Sequence, residues 1–223
     1  MTHAIALGTS NRGKVEELRA LLATFRGPPI RVYALDELVR QPLGIVENGK
    51  TFADNAILKA RAVAQATMML TLADDSGLEV DALDGRPGVR SARFAHERAT
   101  DAENNAALLA ALEATGDGAH GADRLKARFR CALALVDPYS REGEPVVVEG
   151  TCEGIITRAP RGSGGFGYDP LFLVAGVDKT MAELTEGEKN TMSHRARAVA
   201  ELLPILDRIL RERDALMDRL ERA

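Results

Sequence analysis

Two adjacent aspartates, Asp74 and Asp75, follow a short apolar run and precede Ser76 and Gly77. If they end a strand, their side chains point to opposite sides of it, because successive side chains of a strand alternate. One carboxylate could then face a magnesium ion, which prefers oxygen ligands, and the other a water or a second ligand. A carboxylate beside a metal-bound water could also take its proton. The alternative is an aspartate-rich turn closed by the glycine.

The segment from Gly8 to Val15, GTSNRGKV, nearly spells a phosphate-binding P-loop. In a P-loop the residue after the lysine is Ser or Thr, because its hydroxyl holds the magnesium ion, and here it is Val15. Two glycines and Lys14 remain between an expected strand and an expected helix. Backbone N–H groups at a helix start, together with a lysine, still favour an anion. A plain helix start capped by Ser10 or Asn11 is the alternative.

Residues 162–167, GSGGFG, fit the glycine pattern of a dinucleotide-binding loop. Such a loop follows a strand and opens a helix, whereas Pro170 and the apolar run after it predict a strand. We therefore reject a dinucleotide site. A glycine loop that carries Phe166 and Tyr168 lets a flat ring lie close to the backbone. A flexible surface loop is the alternative.

Basic side chains elsewhere could bind phosphate or a base. Lys59 shares a helix face with Asn55, since residues four apart are neighbours, and could reach a phosphate if that helix borders a cleft. Lys189 and Arg195 lie near each other in sequence, and the planar guanidinium suits a phosphate or a base carbonyl. For Lys59, and for His194 beside the arginine, a solvated surface position is the alternative.

Apolar periodicity predicts the elements that would position these residues. Thr51 is expected to cap the second helix, with Asp54 as the partner in a capping box. Early alternation of strands and helices, followed by a long hairpin, predicts an α/β fold with a mixed sheet. Strands are expected at 4–9, 30–34, 71–74, 126–136, 146–157 and 171–174; helices at 11–25, 51–70, 101–115 and most of 188–222, with Pro204 at a start or kink; and a flexible connection at 116–123.

Composition limits the class of protein. The chain has 223 residues, 45% apolar and 28% charged, with a formal net charge of −4, which is typical of a globular protein with one sizeable core. No basic footprint suggests a nucleic-acid or membrane partner. No run approaches the ~18 apolar residues of a membrane span, and residues 1–7 lack the basic region of a secretory signal. Cys131 and Cys152 are expected to be buried thiols in a reducing cytoplasm.

Short motifs follow one another in a fixed order along nearly the whole chain. They are Thr9-x-Asn11-x-x-Lys14-x-x-Glu17, Thr51-Phe52-x-x-Asn55-Ala56-x-x-Lys59-Ala60, Ala73-Asp74-Asp75-Ser76-Gly77-Leu78, PGVRSAR at 87–93, GGFGYDP at 164–170, Glu183-Leu184, Lys189 and Ser193-His194-Arg195. Together they resemble the inosine/xanthosine triphosphate pyrophosphatase family, which removes non-standard purine nucleotides.

The resemblance implies a fold and an activity. The fold would be α/β, an elongated mixed sheet flanked by helices, with two lobes around a central cleft. Residues 1–223 would form one nucleotide-pyrophosphatase domain with an extended C-terminal helix at about 191–222. The activity would be Mg²⁺-dependent hydrolysis of ITP, dITP or XTP to the monophosphate and pyrophosphate. A homodimer is also implied.

The resemblance further implies a role for each site residue. Asp75 would be the proton acceptor and a metal ligand, and Glu47 a second metal ligand. The base would be packed and read by Phe166, Gly167, Tyr168 and Asp169, with His194 and Arg195 at its 6-oxo edge. Donors at that edge would leave the amino group of adenine unsatisfied, a large penalty in a buried site. The rest of the substrate would be held by Thr9, Ser10, Asn11, Arg12, Gly13, Lys14, Lys59, Ser76 and Lys189.

Two features depart from the family pattern. Many members place two acidic residues before the Thr-Phe helix start, and here Val46-Glu47 leaves one. The tail beyond Leu206 is longer than the family needs, and would be a terminal helix packed on its own domain or a dimer-stabilising helix. The alternatives in function are a pyrophosphatase similar to the Maf family, acting on pyrimidine or modified nucleotides, a nucleotide-binding sensor without turnover, and a P-loop kinase, which Val15 argues against.

Overall fold

The computed structural model describes residues 1–115, 125–140 and 144–222, so the connection predicted at 116–123 lies outside the described residues. The strands are β1 (His3–Leu7), β2 (Ile30–Tyr33), β3 (Leu70–Val80), β4 (Lys126–Val136), β5 (Val146–Ile156) and β6 (Phe172–Val174). The helices are α1 (Arg12–Leu22), α2 (Leu35–Leu38), α3 (Phe52–Thr67), α4 (Asp101–Ala114), α5 (Glu186–Met192) and α6 (His194–Glu221).

The six strands form one sheet in the order β2-β1-β3-β4-β5-β6. β1 is parallel to both of its neighbours, whereas β3, β4, β5 and β6 are antiparallel in succession. The parallel half needs helical crossovers, and the antiparallel half contains the long β4–β5 hairpin. The structure thus confirms the predicted mixed α/β fold.

β3 is longer than its apolar run predicts. We expected it to end at Asp74, but it continues to Val80 and pairs with β4 over its length, with Asp75 opposite Ala132 and Gly77 opposite Arg130. This cross-strand pairing outweighs the turn preference of the Asp-Ser-Gly sequence, as tertiary context often does. The aspartates therefore lie within a central strand, and both the strand-end position and the turn alternative are wrong.

The C-terminal helical segment divides at Ser193. Its side chain caps α6 by accepting a hydrogen bond from the backbone N–H of Ala196, and its own backbone is extended. The prediction that Pro204 starts a helix is wrong, because this proline lies inside α6. The helix continues past the proline because Leu202 and Leu206 are buried in the core. Neither α6 nor another helix of the described residues is long and apolar enough to span a lipid bilayer.

The helices cover the sheet on opposite faces. α1 and α6 pack on one face of β1, β3 and β4 and form a leucine-rich core with them. α3 packs on the other face. A second apolar core lies toward the far end of the β4–β5 hairpin and includes Phe129, Tyr168 and Phe172. A cleft separates the two cores.

The contact between α3 and the sheet is formed mostly by alanine side chains, with Phe52 and Val136 in the same buried cluster. Ala56, Ala60 and Ala64 are buried against alanines at positions 73, 132 and 134. Small residues on both sides allow the helix to approach the strands closely. This approach brings Asn55 and Lys59, on the adjacent helix face, to the side chain of Asp75.

Replacing Ala60 by leucine is expected to lower the free energy of unfolding by about 1–3 kcal/mol, because the added atoms overpack the alanine contact. Urea denaturation measures the change. Ala66→Leu, the same substitution at an exposed position of α3, serves as the matched control and should leave stability nearly unchanged. Equal effects of the two substitutions would contradict the close helix–sheet contact.

Candidate active site

A cavity of about 730 Å³ opens between the two cores and contains most of the residues that the sequence singled out. Of the predicted site residues, only Arg12 and Gly13 do not line it. The lining comes from the β1–α1 loop and the start of α1, from α2 with the segment up to Glu47, and from the middle of β3. Lys59 of α3, residues 89–93, the start of α4, the 166–169 loop and the α5–α6 junction also line it. Residues 120 or more positions apart in sequence therefore share one site.

The two aspartates of β3 face opposite sides of the sheet, as their alternation predicts. The carboxylate of Asp75 faces α3, where Lys59 Nζ lies 2.7 Å from one oxygen and Asn55 Nδ2 lies 3.2 Å from the other. The carboxylate of Asp74 faces α1 and α6, where it contacts Lys14 and Arg195. One strand therefore supplies an acid to each of two separate charge networks.

α3 begins at the predicted residue, and its position places Lys59 beside Asp75. Thr51 Oγ1 accepts from the N–H of Asp54, and the Asp54 carboxylate accepts from the N–H of Thr51, which completes the capping box. Asn55 and Lys59, one turn apart, are both buried. The solvated position considered for Lys59 is therefore wrong.

Lys59 lies between two carboxylates. Its Nζ is 2.7 Å from Asp75 and 2.9 Å from Glu47, whose side chain is about one-third exposed. Burial raises the pKa of Asp75 despite the attraction of Lys59 and Lys14. Burial acts in the same direction on Glu47, but Lys59 prevails there and holds the pKa of Glu47 below its usual value. The more deeply buried acid is thus the better proton acceptor.

Glu47 and Asp75 share a cation and present hard oxygen donors to the same space. The described residues contain no group of three or more acidic, histidine or cysteine side chains arranged for a metal. Two carboxylates without further protein ligands suit Mg²⁺, which commonly uses one or two carboxylates and completes its shell with waters and substrate phosphates. The pair therefore fits a magnesium ion that arrives with a phosphate ligand.

The β1–α1 loop is organised by its own side chains. Asn11 Oδ1 accepts from the N–H of Lys14, which makes Asn11 the cap of α1, and Thr9 Oγ1 accepts from the N–H of Asn11. Lys14 Nζ reaches 2.5 Å from Asp74 Oδ1 at the cavity wall. A capped helix start and a lysine in the cleft thus coexist here, and this combination favours an anion.

A buried network joins α6 to β3 and α1. Arg195, almost fully buried, donates from Nε to Asp74, from Nη2 to Ser76 Oγ and from Nη1 to Glu17. Cys131 donates its thiol hydrogen to the same Asp74 carboxylate at 3.0 Å. Although burial acts in the opposite direction, Arg195 and Lys14 hold the pKa of Asp74 well below its usual range. Asp74 is therefore a permanent anion that fixes two cations.

Both cysteines are free and buried, as predicted. Burial and the Asp74 carboxylate raise the pKa of the Cys131 thiol well above its usual value. Burial also raises the pKa of Cys152, to about 11. Both are therefore neutral thiols at neutral pH, and Cys131 serves as a hydrogen-bond donor.

The start of α6 lies very close to β5. A Cβ on Gly150 would be 2.1 Å from the carbonyl oxygen of His194 and 2.4 Å from the backbone nitrogen of Ala198. No side chain fits in that space. Glycine on the strand therefore sets the depth at which His194 and Arg195 enter the cleft.

The 162–167 loop precedes a strand, as expected, and places an aromatic ring over the first turn of α1. A Cβ on Gly13 would be 2.6 Å from the Phe166 ring, and the Arg195 guanidinium carbon is 5.9 Å from the ring centroid. Behind this ring, Lys189 Nζ contacts the Asp169 carboxylate at 2.7 Å. Burial raises the pKa of Asp169 to about 6, although Lys189 acts to lower it.

His194 is buried rather than on the surface. Its ring stacks on Phe129, with centroids 4.9 Å apart and planes inclined by 17°. Burial and the neighbouring Arg195 hold the pKa of His194 well below its usual value, so the ring is neutral. Among the described residues its Nδ1 has no hydrogen-bond partner. This nitrogen is itself buried, while other atoms of the neutral ring line the cavity.

Several residues of the site were given no role by the sequence, and four of them make contacts that matter here or line the cavity as acids. Glu17 anchors Arg195, Asn55 contacts Asp75, and Arg93 donates to the backbone carbonyl of Glu47 at 3.2 Å. These three belong to the motifs quoted above, so their spacing carried a signal. Asp101, which also lines the cavity, belongs to none of them.

Asp74→Asn is expected to lower the free energy of unfolding at pH 7 by about 3–5 kcal/mol, because the buried positive charge on Arg195 then loses one of its two carboxylate partners. Since its folded-state pKa is depressed, the stabilisation by Asp74 is present above pH ~4 and is lost as the pH falls through that lower pKa. The difference between wild type and variant should therefore shrink in acid. Urea titrations at several pH values measure it.

Glu149→Gln is the control, because Glu149 pairs with Arg130 at the exposed surface. This substitution should cost less than about 1 kcal/mol. A loss that is equal for both variants, or independent of pH for Asp74→Asn, would contradict the buried network.

The Ham1 family matches residues 5–205 of the chain. The dITP/XTP pyrophosphatase of Desulforamulus reducens is 46% identical over 92% of this chain and 96% of its own length. The dITP/XTP pyrophosphatase of Escherichia coli strain K12 is 44% identical over 91% of this chain and 97% of its own length. Similarity of this extent covers both cores and every segment of the cleft.

Solved structures give the same result. A HAM1 protein from Coxiella burnetii superposes with a TM-score of 0.78 at 41% identity, covering 92% of this chain and 98% of that one. A nucleoside-triphosphatase / dITP/XTP pyrophosphatase from Mycobacterium abscessus superposes with a TM-score of 0.69 at 43% identity, covering 90% and 99%. In sequence and in fold, this chain belongs to the Ham1 family.

Proposed function

We propose that this chain hydrolyses non-standard purine nucleoside triphosphates, ITP, dITP and XTP, to the nucleoside monophosphate and pyrophosphate. The observation that carries the proposal is the cluster of Glu47, Lys59 and Asp75 in the cavity that also holds Lys14 and the Phe166 loop. It combines acids for a metal, lysines for phosphates and an aromatic ring for a base. Relatives named dITP/XTP pyrophosphatase support the substrate class.

A magnesium ion would be held by Asp75 and Glu47 together with the phosphates. When bound, it would neutralise phosphate charge and make a neighbouring water more acidic. In the structure Lys59 bridges these carboxylates. Lys59 would also offer its ammonium group to the phosphate oxygens at this end of the cavity.

Asp75 would accept the proton of the attacking water. Its raised pKa makes it a better base than a solvated aspartate. Asn55 holds one of its oxygens, while Asn55 Oδ1 accepts from the N–H of Gly49 in the loop that carries Glu47. Asn55 would therefore keep the two acids in register.

The lysines would stabilise charge that develops on the leaving pyrophosphate. Lys14 and Lys59 line the cavity on the two sides of β3, and Lys189 approaches from α5. Thr9, Ser10 and Asn11 line the same wall, where α1 begins. The triphosphate would extend from this wall toward Asp75, with Ser76 beside it.

The base would lie against Phe166, with His194 and Arg195 at its 6-oxo edge. Arg195 uses Nε and both Nη atoms on protein partners, and its guanidinium has five N–H groups, so donors remain. A 6-oxo purine would accept from this edge, whereas the adenine amino group would meet donors. An unpaired buried polar group is costly, which supports discrimination against ATP.

We also propose that the enzyme is a cytoplasmic homodimer folded as one domain, without a nucleic-acid or membrane partner. The end of α6 exposes Leu216, Met217 and Leu220, which would suit a contact between copies. Sedimentation of the full chain measures assembly. A monomer at micromolar concentration would refute the homodimer but would not bear on the proposed reaction.

With ITP and Mg²⁺, IMP and pyrophosphate are expected as the first products, and Asp75→Asn should lower kcat by about 100-fold or more because the proton acceptor is lost. Phosphorus NMR or ion-exchange chromatography resolves the products. Asp81→Asn, an exposed aspartate paired with Arg128, is the control and should retain activity. Orthophosphate as the first product would defeat the proposal.

The panel of substrates also separates the rival functions. Preference for UTP or dTTP over ITP and XTP would favour a Maf-like pyrophosphatase. Tight binding of ITP without product would establish a nucleotide sensor.

Removal of divalent metal by EDTA should abolish turnover, and added Mg²⁺ should restore it, because the phosphates and Asp75 would otherwise lack a cation. Glu47→Gln should raise the Mg²⁺ concentration needed for half-maximal rate by roughly tenfold, as expected for one lost charged ligand contact of ~1.4 kcal/mol. Glu113→Gln, at an exposed position outside the cavity lining, is the control. An unchanged Mg²⁺ requirement in Glu47→Gln would exclude Glu47 as a ligand.

A further inference from the structure

Two side chains in the first turns of α4 form hydrogen bonds with the backbone N–H and carbonyl of Gly167. The Asp101 carboxylate accepts a hydrogen bond from the N–H of Gly167 at 2.7 Å. Asn105 Nδ2 donates to the carbonyl of Gly167 at 2.8 Å, and also to the backbone carbonyl of Asp101 at 2.8 Å. Two side chains one helical turn apart therefore hold the two peptide groups that flank one glycine.

Gly167 has a left-handed backbone conformation within the 166–169 loop. Its φ is +62°, a conformation that glycine adopts freely and other residues rarely do. Nothing lies within 4 Å of a Cβ built on it, so no neighbouring atom crowds that side of the glycine. The hydrogen bonds to Asp101 and Asn105 therefore restrain a dihedral angle that would otherwise be soft.

The residues on either side of this glycine have different supports. Tyr168 is buried, and its hydroxyl donates to the carbonyl of Ser91. Phe166, in contrast, is only partly buried, and its ring faces Gly13 and Arg195 across the cavity. The Phe166 N–H also donates to the Asp169 carboxylate, and its carbonyl accepts from the N–H of Asp169, both at 3.3 Å. The position of the Phe166 ring therefore depends on the backbone of the whole 166–169 turn, of which Gly167 is the part that α4 contacts.

α4 is itself firmly held where it makes these contacts. Thr100 and Glu103 form a capping box at its start. Asn104, which is buried, accepts from the N–H of Ala95 and donates to the carbonyl of Ala92. Leu108 is fully buried in the second core. The helix is thus a fixed support from which Asp101 and Asn105 can position a loop.

We infer that Asp101 and Asn105 are positioning residues for base recognition, acting through Gly167 to set the place of the Phe166 ring in the cleft. This inference rests on the proposed function. Within the described part of the chain, neither side chain makes a hydrogen bond or an ion pair with Glu47, Lys59 or Asp75, so the chemical step should be spared when the pair is broken. Binding of the purine, in contrast, should weaken.

The test compares Asn105→Asp, which replaces the donor by an acceptor facing the Gly167 carbonyl, with the wild type. We expect KM for ITP to rise about tenfold and kcat to change less than about twofold, since one lost hydrogen bond with an unsatisfied partner is worth about 1.4 kcal/mol. Asp101→Ala should behave similarly, and Asp101→Asn, which retains an acceptor oxygen, should recover most of the affinity. Glu113→Gln, at the exposed end of α4, should equal the wild type.

Amide hydrogen exchange provides a readout that is independent of turnover. The peptide that contains Gly167 should exchange faster in Asn105→Asp and Asp101→Ala, while peptides of β3 and β4 remain protected. An unchanged KM in the two variants, or a fall in kcat alone, would overturn the inference. If the wild type fails to hydrolyse ITP, the proposed function fails, and the exchange experiment still decides whether α4 restrains the loop.

Discussion

A buried carboxylate is costly unless a cation and hydrogen bonds compensate for lost hydration, and β3 carries two of them side by side. Because the strand is paired with β4 along its length, neither Asp74 nor Asp75 can turn away from the protein. Each must find its cation on its own face of the sheet. The arrangement of helices around the sheet follows from this requirement, since α1 and α6 bring Lys14 and Arg195 to one face and α3 brings Lys59 to the other.

The two charge networks differ in how completely the carboxylate charges are neutralised. On the first face Arg195, with Glu17 and Ser76 as additional partners, is held almost completely, and the carboxylate of Asp74 stays ionised under all ordinary conditions. On the second face one lysine serves two acids, so the acids are only partly compensated. The Asp74–Arg195 pair is rigid, whereas Asp75 and Glu47 share one lysine and retain unbalanced negative charge. This combination suits a site that keeps its shape and still has charge available for a metal and phosphates. Because Asp74 and Asp75 are adjacent on β3, the rigid Asp74 network also holds the strand that carries Asp75.

Local patterns sufficed for the features that depend on neighbours in sequence. The capping box at Thr51, the alternation of the aspartates and the strand after the glycine loop all follow from short-range rules. The extent of β3 does not, because Asp75 to Val80 owe their conformation to β4, about fifty residues later. The same holds for Pro204, which core packing of Leu202 and Leu206 keeps within a helix. Asp101 was missed because its partner, the backbone of Gly167, carries no side-chain signal.

The contact of Gly150 with the first turn of α6 bears on how this enzyme could diversify. If His194 and Arg195 read the base, as proposed above, base preference depends on an end of the cleft whose depth is fixed by backbone atoms on both sides. A larger residue at position 150 would push the whole helix outward and disturb Arg195, Asp74 and Lys14 together. Selection for a new nucleobase would therefore have to act through side chains that project into the cavity, while the strand beneath them stays unvaried.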